Sequence, residues 1–139
     1  MNLLNNAVFK VPMPFKEPVY DFEPGSPERA KLKAAIVEIA GKEMEIRLII
    51  GGKDVRTGKL GKVVMPHNHQ HVLATYHQAG EKEIEQAIQA AMAAKPAWAE
   101  LRWEERAAIF LKAADLLSGK YRFIMNALSM LSTSKSAFQ

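Results

Sequence analysis

Three short segments carry residue types that could do chemistry, and the first is PHNHQHV at residues 66–72. His67, His69 and His71 alternate, and on a strand this spacing would place three imidazoles on one face, as a metal site requires. However, Pro66 and Asn68 favour a turn that enters a strand, and no cysteine or nearby carboxylate completes a ligand set. We therefore favour local hydrogen bonding by turn histidines over metal binding.

The second segment, GGKDVRTGKLGK at residues 51–62, faintly resembles a phosphate-binding loop. Such a loop separates its glycines by four residues and follows its lysine with a hydroxyl side chain. Here five residues separate Gly52 from Gly58, and Leu60 follows Lys59. The mismatch favours a cationic hairpin turn.

The third segment places the hydroxyl residues 132–134 (STS) beside Lys135. A serine nucleophile also needs a base that a third group orients, so we favour small polar residues of a helix turn. The paired carboxylates Glu104 and Glu105 lie at a predicted helix start, where the helix dipole explains them. No dinucleotide-binding glycine fingerprint is present. The pattern therefore yields no catalytic, cofactor-binding or metal-binding residue.

Composition excludes several classes of protein. The 139 residues include 48% hydrophobic residues and no cysteine, which excludes a disordered chain, a disulfide scaffold and a cysteine nucleophile within these residues. The net charge of +4 comes from interspersed lysines and glutamates, so we expect no nucleic-acid partner. No apolar run is long enough to span a membrane, and the N-terminus lacks the features of a signal or transit peptide. We expect a cytoplasmic protein.

The pattern of elements predicts an α+β chain that begins with an extended arm over residues 1–24, where four prolines occur. The aromatic residues of this arm suggest that it lies across another surface; a partly ordered leader is the open alternative. They are Phe9, Phe15, Tyr20 and Phe22. A capped helix follows over 25–42, with Ser26 as the N-cap, Pro27 at the first position and Gly41 as the stop. Its apolar face consists of Leu32, Ala35, Ile36 and Ile39.

Residues 43–79 are predicted to form a small antiparallel strand region. Alternating apolar residues over 46–50 indicate one half-buried strand, which Gly51 and Gly52 break. Further short strands are predicted at Val55, over 62–65 and over 71–77.

Residues 80–139 are predicted to be helical. The first helix carries one apolar stripe, and Pro96 should end or kink it. The stripe consists of Ile84, Ala87, Ile88 and Ala91. A second helix runs from about Trp103 to Ser118 and stops at Gly119, and a third begins near Tyr121. The third should turn Ile124, Leu128 and Leu131 inward. Because these helices carry more apolar surface than the small sheet can cover, we expect a part of a larger protein.

Four strings together resemble the N-terminal part of the aldehyde dehydrogenase superfamily, and in particular its proline-catabolic branch. They are GSPERAKLKAAI (25–36), LIIGGKDVRTG (48–58), VMPHNHQHVLATYHQAGEKEIEQAI (64–88) and AAMAAKPAWAELRWEERAAIFLKAADLLSGKYR (90–122). The resemblance covers the chain from about Pro18 to Gln139. Two departures are Pro96, where the family usually has a charged or small residue, and the absence of the family's usual glycine near Ser132.

The resemblance implies an enzyme several times longer, with an α/β fold, that oxidises L-glutamate γ-semialdehyde to L-glutamate with NAD. In that family a cysteine thiolate attacks the aldehyde, hydride passes to NAD, and a glutamate-activated water hydrolyses the thioester. All of these groups lie downstream of the matched region, so no catalytic, cofactor-binding or metal-binding residue is carried over to this chain.

The resemblance assigns 80–139 to the helical part of an NAD-binding domain that is truncated at its C-terminal end. Its implied partners are the rest of the dehydrogenase chain and further copies in a homo-oligomer, in the cytoplasm or, in a eukaryote, the mitochondrial matrix. By itself the chain should be inactive and bind no NAD. The alternatives are a self-contained helical interaction module without catalysis and, less favoured, a basic nucleic-acid binder.

Overall fold

The computed structural model describes residues 8, 10–13 and 16–139 of the chain. Within these residues four helices and five strands follow one another, which confirms the predicted α+β class. Their order is α1 (Pro27–Ala40), β1 (Met44–Ile46), β2 (Leu48–Ile50), β3 (Lys53–Val55), β4 (Leu60–Met65), β5 (Asn68–His77), α2 (Glu81–Glu100), α3 (Trp103–Ser118) and α4 (Arg122–Thr133).

Helix α1 begins and ends where its capping residues predict. The Ser26 hydroxyl accepts a hydrogen bond from the Arg29 amide at 3.3 Å, and Pro27 occupies the first helical position. Gly41 follows the last residue and donates its amide to the Val37 carbonyl at 3.0 Å. The predicted apolar face is buried at Leu32, Ala35 and Ile39, with Ile36 packed beside it.

The strands form two sheets, which corrects the prediction of one antiparallel region. β4 and β5 pair in the antiparallel direction, but β1 pairs with β5 in the parallel direction, so the order is β1-β5-β4. β2 and β3 form a separate antiparallel hairpin. The parallel pairing is accessible because the hairpin and β4 lie between β1 and β5 in sequence, which gives the chain enough length to return in the same direction.

The predicted single strand over 46–50 is also wrong, because the structure divides it at Arg47 into β1 and β2. The Arg47 guanidinium donates to Glu45 in β1 at 2.9 Å and to Asp54 in β3 at 2.7 Å. The chain therefore leaves the first sheet and enters the hairpin at a residue whose side chain bonds to both.

One apolar core joins α1, α4, β4 and β5. Its buried residues touch one another across these four elements, and no residue of α2 or α3 is among them. The core consists of Leu32, Ala35, Ile39, Met65, Leu73, Ala127 and Leu131.

The face of α4 that enters this core is not the predicted one throughout. Phe123, Ala127 and Leu131 recur every four residues and pack inward, together with Leu128. Ile124 is 38% exposed, although Leu128, four residues later on the same side of the helix, packs against the core. Its predicted inward orientation is therefore wrong.

The described part of the N-terminal arm lies against the α1–α4 pair. Tyr20 stacks on Phe123 with ring centroids 6.2 Å apart. The Arg122 guanidinium lies over the Tyr20 ring, 4.1 Å from its centroid. Arg29 donates to the Phe22 carbonyl at 3.1 Å. Other residues of the predicted arm, Phe9, Pro14 and Phe15 among them, lie outside the described residues.

Helix α2 continues through Pro96 to Glu100, so of the two predicted effects of this proline, an end or a kink, the end does not occur. Pro96 has no N–H for the carbonyl of Met92, four residues earlier. Because residues 91–100 are all exposed, water can solvate that carbonyl while the neighbouring alanines sustain the helix. Helix α3 has the predicted bounds, with Gly119 as its cap.

The core makes a prediction about two leucines on neighbouring helices. Leu131 in α4 is 6% exposed and Leu117 in α3 is 51% exposed. We expect Leu131→Ala to lower the free energy of unfolding by about 2–5 kcal/mol, because it leaves a cavity. Leu117→Ala should change it by no more than about 0.5 kcal/mol. Urea unfolding followed by circular dichroism measures both, and equal losses would contradict the assignment of the core.

Candidate functional site

A cluster of charged and polar side chains lies where the two sheets meet, and we call it the Glu45 cluster. Its members are Glu45, Arg47, Asp54, Arg56 and His77. Arg56 holds the Glu45 carboxylate with two hydrogen bonds, from Nε at 2.8 Å and from Nη2 at 3.0 Å. Arg47 donates to the same carboxylate and to Asp54. The cluster therefore connects β1 to the middle of β3, at Asp54, and to Arg56, which follows that strand.

His77 completes the cluster from the end of β5 and is only 6% exposed. Its Nδ1 accepts hydrogen bonds from the amides of Thr57 at 3.0 Å and Gly58 at 3.4 Å. Nδ1 is therefore unprotonated, and the proton of the neutral ring is on Nε2, which donates to Glu45 at 3.1 Å. Both ring nitrogens are engaged.

The hydrogen bonds of the Glu45 cluster stabilise the charged forms of its carboxylate and its two arginines. Hydrogen bonds from Arg56, then His77, then Arg47 hold the pKa of Glu45 far below its ordinary value. The same contacts raise the pKa of Arg47, through Glu45 and Asp54, and that of Arg56. A carboxylate that three cationic or polar donors occupy is a poor general base. The cluster is thus suited to positioning chain segments, and nothing in its geometry prepares a side chain for reaction.

The histidines that the sequence singled out lie apart from this cluster. His67 Nδ1 is 2.9 Å from the Ser134 hydroxyl, and His71 Nε2 donates to the Ala40 carbonyl at the end of α1, at 2.8 Å. His69 is exposed on β5. In the part of the chain that the structure describes, no three histidine or acidic side chains come together as metal ligands. Hydrogen bonding is seen at His67 and His71, but the prediction that it would be local is wrong, because Ser134 and Ala40 are 67 and 31 residues away in sequence. His71 also lies on strand β5, not in a turn.

Sequence reasoning missed His77, which is the histidine with the most contacts. A signal was available: His77 ends an apolar strand, in register with Leu60 of the neighbouring strand. A polar residue at an inward position of such a strand requires a partner. That partner, Glu45, is 32 residues away in sequence, so only the sheet pairing brings the two together.

The glycine-rich segment is a hairpin, as predicted. Gly51 and Gly52 form the turn between β2 and β3 with φ of 57° and 75°, the left-handed values that this tight turn demands. Gly58 also has a positive φ, and a strand rather than a helix follows it. A phosphate loop needs a helix N-terminus at that point, which this segment does not provide.

The hydroxyl residues 132–134 form the C-terminal end of α4, as the predicted helix turn requires. The side chains of Ser132 and Thr133 donate back to carbonyls four residues earlier, at 2.7 and 2.5 Å. Ser134 takes the left-handed conformation with φ of 56°, at the place where a glycine commonly ends a helix. Ser134 therefore takes, at a steric cost, a backbone conformation that glycine adopts more readily.

The carboxylates at the start of α3 cap the helix. Glu105 accepts a hydrogen bond from the Arg102 amide at 3.2 Å and pairs with its guanidinium at 3.1 Å. These contacts lower the pKa of Glu105. Glu104 lies beside it in the first turn, where negative charge meets the positive end of the helix dipole.

The Glu45 cluster predicts a specific loss of stability in acid. Folding lowers the pKa of Glu45. The ionised carboxylate therefore contributes fully to the free energy of unfolding above the ordinary carboxylate pKa, and this contribution is lost as the pH falls toward the folded-state pKa. Glu45→Gln should reduce the urea midpoint at pH 7, and the difference in midpoint from the unmodified chain should narrow steadily as the pH falls below the ordinary carboxylate range. Glu85→Gln, on exposed α2, is the matched control and should show no such difference. A difference for Glu45→Gln that stays constant with pH would contradict this role.

The sequence of this chain matches the family model described as "Aldehyde dehydrogenase family" over residues 54–138. Among curated proteins it is 45% identical over 134 residues to the delta-1-pyrroline-5-carboxylate dehydrogenase of Agaricus bisporus, covering 96% of this chain and 24% of the relative. It is 38% identical over 123 residues to the mitochondrial human protein of the same name, covering 88% and 22%. The chain thus spans about a quarter of the length of the curated relatives that it matches.

The fold agrees with that of solved structures. The Delta-pyrroline-5-carboxylate dehydrogenase of Mycobacterium tuberculosis, in a structure described as bound with NAD and cobalamin, superimposes with a TM-score of 0.91 at 40% identity. The superposition covers 96% of this chain and 25% of that protein. The α+β arrangement seen here is accordingly one portion of a larger α/β fold. With a family match over more than half of its residues, the chain belongs to the aldehyde dehydrogenase family.

Proposed function

We propose that this chain is the N-terminal part of an NAD-dependent delta-1-pyrroline-5-carboxylate dehydrogenase, which oxidises L-glutamate γ-semialdehyde to L-glutamate in proline degradation. Relatives of that name, at 45% and 38% identity, support the assignment. So does the shared fold of the Mycobacterium tuberculosis structure described with NAD. In this proposal the 139 residues supply scaffold, and the reacting groups belong to the remaining three quarters of the protein.

The observation that carries the proposal is the exposure of two amphipathic helices. No residue of α2 or α3 is buried, although both carry large apolar side chains. Ile88 is 59% exposed and Phe110 is 67% exposed. Large apolar side chains exposed along two helices are unfavourable in water and mark places where other protein packs. A downstream portion three times longer than this chain would cover it.

The absence of cysteine in the chain also supports the proposal that the reacting groups lie elsewhere in the protein. The family's chemistry requires a thiolate nucleophile, and the sequence has none. We therefore propose that no residue of this chain is catalytic.

The described residues also do not fit NAD by themselves. A pyrophosphate is normally bound by the amides of a glycine-rich turn at a helix N-terminus that follows a strand. Helices α1, α2 and α3 each carry glutamate in the first turn, which repels an anion. At α2 the Gly80 amide is already bonded to Glu83 at 2.9 Å. Helix α4 follows α3 through Tyr121, without a preceding strand. We place the NAD site in the remainder of the protein.

Partners and location follow from the proposed parent. We propose that the chain's partner is the rest of the dehydrogenase, that the parent forms a homo-oligomer, and that it binds neither nucleic acid nor membrane. None of the helices in the described part of the chain combines the length and apolar character needed to cross a bilayer. The human relative is named mitochondrial. For this chain we propose the cytoplasm, or the mitochondrial matrix if its source is a eukaryote.

Complementation tests the proposed function. The purified chain alone should not reduce NAD with glutamate semialdehyde, and neither should the downstream three quarters of the Agaricus bisporus relative. Co-expression of the two should restore turnover. The double variant Ile88→Glu, Phe110→Glu should prevent restoration, whereas Glu85→Lys on α2 should not. Turnover by the chain alone would refute the division into scaffold and reacting parts.

The exposed helices predict the behaviour of the isolated chain. It should bind an apolar dye such as anilinonaphthalene sulfonate and self-associate, because the α2 and α3 faces lack cover. Dye fluorescence should fall in the double variant, since two exposed apolar side chains of α2 and α3 then become charged. A monodisperse chain that binds no dye and unfolds in one sharp transition would instead favour a self-contained interaction module.

A further inference from the structure

We propose that His77 is a proton-sensitive latch, which holds the β2–β3 hairpin, and through it helix α2, on the β1-β5-β4 sheet. This inference does not rest on the proposed function, because it concerns how two parts of the described fold are joined.

The hairpin has no β-ladder to the sheet. Among the described strands, β2 and β3 pair with each other and with no other strand, so contacts outside a ladder must hold the hairpin in place. On one side Arg47 and Arg56 bond to Glu45 of β1. On the other side the segment that leaves β3 is bonded to His77 through the amides of Thr57 and Gly58. These contacts form the hairpin's attachment.

The tip of the hairpin in turn supports α2. A side chain built on Gly51 would lie 3.6 Å from the Cβ of Ala90, so the turn is in contact range of the helix. β2 also contacts α2, which has no buried residue of its own. The position of the hairpin therefore influences the position of α2 and its apolar face relative to the core.

Protonation of His77 would act on one side of this attachment only. The ring accepts two amide hydrogens at Nδ1, and an imidazolium carries a proton there and cannot accept. The Nε2 proton and its bond to Glu45 are present in both states. Acid should therefore release the loop at Thr57 and Gly58 while the contact to β1 persists.

The charged groups around the His77 ring favour or oppose its protonated form. Glu45 from β1 favours the cation, and Arg47 and Arg56 oppose it because they share that carboxylate. The loop itself carries Arg56 and Lys59. β4 places Leu60 opposite His77 and Lys62 opposite the neighbouring Thr75. The exchange experiment spans pH 8 to 5, the range in which a histidine side chain ordinarily changes charge.

Hydrogen exchange with residue resolution tests the latch on the full chain. Protection factors, corrected for intrinsic exchange, are measured at Thr57 and Gly58 from pH 8 to 5. We expect them to fall by about tenfold per pH unit below the titration midpoint, as one linked proton requires. Amides of the β4–β5 ladder should keep their protection, which separates release of the loop from unfolding of the core.

Three variants make the test specific. His77→Gln can still accept and donate but does not titrate, so it should abolish the pH dependence at Thr57 and Gly58. Glu45→Gln should move the fall to lower pH, because the charge that favours the imidazolium is gone. His71→Gln, a half-buried histidine bonded to Ala40, should leave the fall unchanged. Protection that stays constant in the unmodified chain, or a protonated His77 ring with Thr57 and Gly58 still protected, would overturn the proposal.

Discussion

The packing of α1 and α4 against β4 and β5 is the interaction on which the rest of the structure depends. It is the only place in the described residues where apolar side chains from several elements are buried together. The arm, with Tyr20 stacked on Phe123, lies against this layer. The parallel addition of β1 to β5 extends the sheet beneath it. Hydrophobic burial of this kind is the main favourable term in folding, and it is confined to about half of the elements.

The remaining elements are held by polar contacts instead. Glu45 brings together β1, the hairpin and the end of β5, because one carboxylate accepts from two arginines and a histidine. Such contacts contribute less to stability than burial when they are exposed to water, but they are directional. They fix the orientation of the hairpin where no ladder does. Helix α2, which contacts β2 of this hairpin, contributes no buried residue to the apolar core.

That unequal distribution of burial also connects the fold with the proposed function. In a complete domain the apolar stripe of an amphipathic helix faces a core. Here Ile84, Ile88 and Phe110 face solvent, and the relatives are about four times longer than the chain. The chain is therefore best understood as scaffold whose second layer belongs to residues that follow in the proposed parent.

Local signals in the sequence determined the helices and the turns. Ser26 with Pro27 fixed the start of α1, Gly119 the end of α3, and Gly51 with Gly52 the hairpin turn. Each of these depends on the backbone preference of one or two residues and on neighbours within four positions. The same local reasoning predicted the hairpin in the glycine-rich segment and the helix turn at residues 132–134, and the four matching strings carried the family.

Only the tertiary structure decided the features that depend on distant partners. The break at Arg47, the parallel direction of β1 and the partnership of Glu45 with His77 each involve residues that pair across the fold. The continuation of α2 through Pro96 depends on its full exposure to water, which no local pattern reports. The sequence by itself therefore determined most of the helices and turns, since those choices are short-range. Their arrangement, and the burial of one histidine out of four, was decided by which surfaces could meet.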